Sequence, residues 1–147
     1  MVENVLVKEY LPENQITAGE KLLKCLESLK IPVTAAFWIL EYERGYWKLM
    51  VVSPLVEKIG ESKVFTQVMD VAMAEPRKTR IDIVNGLRVL GAKDRFYKRV
   101  RESIRTPTPL YDYKLSTCVV AGDLADLYFY RFPATSTPKT KRGLKHA

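Results

Sequence analysis

Two aspartates and a lysine are the side chains of this sequence whose types and spacing could do chemistry. Asp112-Tyr113-Lys114 opens a run of strand-forming residues, and Asp82 stands about thirty positions earlier on another β-prone segment. Carboxylates at strand ends hold a divalent cation, the cation activates water, and a lysine beside them steadies developing charge; together they would hydrolyse a phosphodiester. A simpler account fits the same residues, in which Asp112 caps a turn and Lys114 lies on a solvated strand face. Such triplets also arise by chance, Glu61-Ser62-Lys63 being another in this chain.

The D…(D/E)-x-K arrangement of Asp82, Asp112 and Lys114 resembles metal-dependent nucleases of the restriction-endonuclease type, and the resemblance, three residues wide, implies a metal-dependent phosphodiesterase. Other catalytic devices are poorly served. The only histidine, His146, is the penultimate residue, whereas nucleophile–histidine devices need an imidazole held rigidly by its neighbours. Cys25 and Cys118 lack the paired spacing of a zinc knuckle or a redox motif. Gly86-Leu87-Arg88-Val89-Leu90-Gly91-Ala92-Lys93 departs from the phosphate-binding pattern G-x-x-x-x-G-K-[ST], because Ala92 displaces the lysine and Asp94 comes after it, where an acid repels phosphate. That stretch reads as a strand between two turn glycines. Catalysis therefore ranks last among the functions considered, and neither a metal nor another cofactor is expected.

Charge gives a better argument for binding. The net charge of +7 is concentrated in two segments: from Arg77 to Arg105 ten Lys/Arg face three acids, and after Phe132 four cations face none, Lys139, Lys141 and Arg142 among them. The residues before Arg77 carry a net −3. At about 100° per residue, Arg95, Lys98, Arg99, Arg101 and Arg105 cover the arc opposite Phe96, Tyr97, Val100 and Ile104, so a helix here has a basic back. Such a surface binds phosphates with steep salt dependence and little sequence information. An ordinary solvated helix face has the same pattern.

Periodicity and punctuation define the framework around these residues. Thr17-Ala18-Gly19-Glu20 has capping-box spacing, and Leu22, Leu23, Leu26 and Leu29 then recur helically until Pro32, which predicts a first helix starting at Thr17. Residues 33–42 and 46–53 are two nearly continuous apolar β-prone runs around Gly45, a hairpin with both faces at least partly covered. Residues 54–61 read as a loop, and a second helix runs over 62–74 with Val64, Phe65, Val68, Val71 and Ala72 on one stripe. Short extended structure around Asn85-Gly86 precedes a third helix over 94–104. After the two prolines Pro107 and Pro109, residues 113–120 and 124–132 form a closing hairpin. In its last strand Tyr128, Tyr130 and Phe132 would share one face and Leu127, Phe129 and Arg131 the other. Exposed, these aromatics would stack bases; buried, they would supply core bulk.

The order α-β-β-α-β-α-β-β predicts an α+β fold with a largely antiparallel sheet covered by helices, most economically in two layers. One domain is expected over 1–132, with a basic, disordered tail over 133–147. The layout, including Ser53-Pro54-Leu55 and the closing Tyr128-Phe129-Tyr130-Arg131-Phe132, is similar to that of short bacterial proteins of unknown function, a resemblance that bears on the fold alone. No secretory signal or membrane-spanning run is read in the sequence, and both cysteines sit in apolar runs, so a cytoplasmic protein with reduced thiols and no membrane partner is expected. The preferred function is non-catalytic binding of nucleic acid or another polyanion. The alternatives are a protein-interaction module or homodimer, and lastly the phosphodiesterase.

Overall fold

Strands that are apolar on both sides dictate the centre of the molecule. The computed structural model describes residues 11–81 and 86–135; Asp82 and the tail cations Lys139, Lys141 and Arg142 lie outside the described residues. The elements in order are α1 (Glu13–Ser28), β1 (Ala35–Glu41), β2 (Trp47–Val52), α2 (Leu55–Ile59), α3 (Glu61–Ala74), β3 (Leu87–Leu90), α4 (Arg95–Ser103), β4 (Leu110–Val120) and β5 (Asp123–Phe132). The fold is α+β, with a five-stranded sheet in the order β3-β2-β1-β5-β4. Every pairing is antiparallel except β2 with β3, which are parallel and joined through α2 and α3, as a crossover requires.

Successive strand side chains face opposite sides, so β1 sends Ala36 and Trp38 one way and Ala35, Phe37 and Ile39 the other, all of them buried. In β2, Leu49 and Val51 oppose Met50 and Val52 in the same manner. Two bare faces need two covers. Leu22, Leu23 and Leu26 of α1 and Val64, Val68 and Ala72 of α3 cover one, and Tyr97 and Val100 of α4 cover the other. Helices therefore pack on both sides of the sheet, where the sequence suggested two layers.

Three local expectations change. Helix α1 begins at Glu13, with the Pro12 carbonyl accepting from the amides of Gln15 (2.9 Å) and Ile16 (3.1 Å); Thr17 is inside the helix and caps nothing. The earlier start brings Ile16 against the core and sets Gly19 beneath the Tyr130 ring, where a Cβ would overlap the phenol. The stretch expected as a loop contains α2, whose Leu55, Val56 and Ile59 make a one-turn apolar stripe against the α1/α3 side. In β5 the register with β1 shifts between Ala36 and Phe37, and the extra residue on β5 reverses the facing of the residues beyond it. Phe132 accordingly packs beside Phe37, Phe129 and Tyr97, away from Tyr128 and Tyr130.

The β4–β5 hairpin turns on Ala121 and Gly122, both at positive φ (52° and 92°), the geometry of a two-residue primed turn. Strand β4 also has positive φ at Asp112 (47°) and Thr117 (55°), with a register shift between Leu115 and Cys118. Asp126 holds that second bulge: its Oδ1 accepts from the Thr117 amide (2.8 Å) and the Tyr42 hydroxyl (2.7 Å). Beyond Phe132 the chain stays packed as far as Thr135, whose hydroxyl donates to the Ile104 carbonyl (2.6 Å) and accepts from the Thr106 amide (2.8 Å). Among the described residues no helix is long and apolar enough to cross a membrane.

Candidate nucleic-acid interface

Helix α4 is fixed from its first residue by Asp94, whose Oδ2 accepts from the Tyr97 amide (3.0 Å), an N-cap bond that satisfies one of the amides a helix start leaves unpaired. Tyr97, Val100 and the following Ile104 are buried, and Phe96 is half-buried beside them. The opposite arc is basic: Arg95, Lys98, Arg99 and Arg101 are all exposed, as the periodicity predicted, whereas Arg105, also exposed, stands beyond the end of the helix, because Ile104 turns the backbone extended (φ −105°, ψ 96°). None of the five forms an ion pair among the described residues.

Two contacts brace this surface from below. The Arg101 guanidinium lies over the Tyr97 ring (5.8 Å to the centroid), and Arg88 of β3 lies over Phe96 (5.9 Å) while approaching Asp94 (3.9 Å). Such placements cost an arginine little charge and limit its motion. Asp94 is occupied by the helix cap and by Arg88, which leaves Glu102 as the one acid of α4. The helix is about 13.5 Å long, so its cations lie within about two Debye lengths of one another at physiological salt and their fields add. Tyr97 is 1% exposed, and its hydroxyl has no hydrogen-bond partner among the described residues. Burial pushes its phenol up from the usual range, and nearby Arg101 draws it partly back.

The aromatics of β5 are core. Tyr130 and Phe132 are buried and Tyr128 is half-buried. Trp38 Nε1 donates to the Tyr130 hydroxyl (2.9 Å), which donates in turn to the Ile16 carbonyl (2.6 Å), and burial raises that phenol strongly. Tyr128 is pushed up to about 12, by burial first and then by Asp112, whose Oδ1 accepts from its hydroxyl (3.2 Å). These rings offer no open platform for bases.

Of the candidate carboxylate set, Asp112 and Lys114 sit on β4, Asp112 on Tyr128 and exposed Lys114 opposite Tyr128 in register. Asp82 lies outside the described residues. No three His, Cys, Asp or Glu side chains gather to hold a metal among the described residues. Two features escaped the sequence. One is the buried Asp126 under the β4 bulge. The other is a cleft of about 460 Å³ between α1 and the β4–β5 hairpin, lined by Glu20, Lys24, Glu27, Tyr111, Asp112 and Arg131 among others. Its charges are partly spent on one another, since Arg131 pairs with Glu27 and donates to the Val33 carbonyl (3.3 Å). Segments about ninety residues apart in the chain build it, and no local pattern announces such a meeting. Comparison with known protein families, with curated proteins and with solved structures found no match to this chain, so the α4 surface stands on its own geometry.

Proposed function

We propose that the protein is a non-catalytic binding protein that holds nucleic acid, or another polyanion, on the outer face of α4. The observation that carries this reading is the set of five exposed cations, four on α4 and Arg105 just after it, that make no ion pair among the described residues. On an ordinary solvated helix, acids interleaved at three or four residues neutralise such a row. Here the single acid Glu102 leaves an excess that a phosphate backbone would neutralise, releasing its counterions. Lys139, Lys141 and Arg142 of the tail add to the same long-range attraction. The cytoplasm suits the chain, since its two cysteines are unpaired.

The test is charge reversal at exposed positions, Arg95→Glu with Lys98→Glu. The wild-type chain is expected to bind mixed-sequence nucleic acid at about 50 mM salt and to release it by about 200 mM. The double variant is expected to lose the low-salt binding while its thermal unfolding stays unchanged. Undiminished binding by a folded double variant would remove α4 as the surface.

A further inference from the structure

We infer that the α4 face takes the paired backbones of a double helix in preference to a single strand. This rests on the reading of α4 as a nucleic-acid surface and specifies the form of nucleic acid. A single strand is held by cations along its backbone together with aromatic platforms for its unstacked bases. Helix α4 has the cations and withholds the platforms. Tyr97 is 1% exposed, and half-buried Phe96 is covered by the Arg88 guanidinium. The outer face is equally poor in amides and hydroxyls for base edges. Besides the cations α4 presents Glu102 and Ser103, and the Ser103 hydroxyl is committed, donating to the Arg99 carbonyl (2.9 Å) and accepting from the Ala121 amide (3.2 Å).

The cations also spread around the helix. At 3.6 residues per turn, Arg101, Lys98, Arg95 and Arg99 succeed one another through about 160° of its circumference, with Arg101 at one margin and Arg99 at the other, and Arg105 follows beyond the end of the helix. Cations at both margins of one rod meet phosphates on two sides. One strand offers that only by wrapping the helix, whereas the two backbones flanking a groove offer it without bending. Charge density acts in the same direction, because a duplex carries one phosphate per about 1.7 Å of axis and releases more counterions per contact than a single strand. The occupant is a duplex held through its phosphates with little regard to sequence.

The experiment measures fluorescence polarisation of the full chain with labelled duplex DNA, duplex RNA and the matching single strands, equal in phosphate number, across about 50–200 mM salt. With about four phosphates engaged, the log–log salt slope for a duplex is about −3.6, so affinity falls roughly a hundredfold over that range. Single strands are expected to bind about tenfold more weakly at its low end, with a slope nearer −2.8. The milder pair Arg99→Gln with Arg105→Gln is expected to reduce the duplex slope by about 2 units. Neutralising the tail in the full chain, with Lys139→Ala, Lys141→Ala and Arg142→Ala, leaves the duplex preference in place. A preference for either duplex over the other supports the inference and names its source. Single strands that bind as tightly as duplexes, with both lost on α4 charge reversal, overturn the duplex inference and keep the surface. Duplex binding that survives both α4 variants overturns the surface itself.

Discussion

The two faces of the sheet solve the same packing problem and end with opposite electrical character. On one side, α1 carries three acids and two lysines and α3 two acids and one lysine, so the two signs are mixed, and two of these charges are paired: Lys21 with Glu75 (3.2 Å) and Glu27 with Arg131. On the other side, α4 carries four cations and one acid and makes no ion pair through any of those cations among the described residues. An apolar stripe seats each of the three helices on the sheet. Packing thus sets the inner face of a helix and leaves the outer face open to other demands.

The sharpest difference between the faces is expected at Gly19. A helix interior ordinarily prefers alanine to glycine by about 1 kcal/mol, yet a Cβ at Gly19 would overlap the buried Tyr130 phenol. Gly19→Ala is expected to lose about 1–3 kcal/mol by overpacking, read as a lower denaturation midpoint. An unchanged or higher midpoint would mean that the α1 face is looser than its contacts imply.

The two buried tyrosines set the faces against each other directly. Tyr130→Phe strips Trp38 Nε1 of its acceptor and is expected to cost about 1–3 kcal/mol. Tyr97→Phe removes a buried hydroxyl that has no partner among the described residues and is expected to gain up to about 1 kcal/mol. Equal effects in urea denaturation would erase the contrast.

Alkali should weaken the α1 side through Tyr128. Its folded pKa, about 12, lies above the ordinary 10, so folding favours the protonated phenol. Its contribution is complete below about pH 10 and is lost as pH rises toward 12. The midpoint of unfolding should fall over that interval and fall less steeply in Tyr128→Phe. The smallest effect belongs to the exposed α4 cations: Arg99→Gln with Arg105→Gln is expected to move stability by less than about 0.5 kcal/mol while weakening duplex binding. A large stability loss would give those arginines a structural role.

What was legible in the sequence was whatever local period dictates. The hairpins at Gly45 and Gly122, the stripes of α3 and α4 apart from Phe65, which is exposed, and the basic arc of Arg95 to Arg101 need only neighbours within a few residues. Illegible features depend on distant partners. Thr17 had the right spacing for a cap, but Pro12 and the packing of Ile16 moved the helix start upstream. Phe132 took the opposite side from Tyr130 because of a bulge that no residue type on β5 announces. At the candidate site, the outward direction of the α4 cations was readable, while their lack of ion pairs among the described residues was not, since Asp94 could as readily have served them as Arg88 and the helix cap.

The kinks of β4 have a further consequence for how the protein survives at high concentration. An eleven-residue strand at the border of the sheet among the described residues, with Tyr111 67% exposed and Val119 61% exposed, has the length and composition that invite cross-β growth. Left-handed residues at Asp112 and Thr117 interrupt it, so the regular stretch between them covers only residues 113–116. That is shorter than the roughly six residues a steric zipper needs. Bulges of this kind blunt an edge strand against pairing with another chain, and Asp126 holds the one at Thr117.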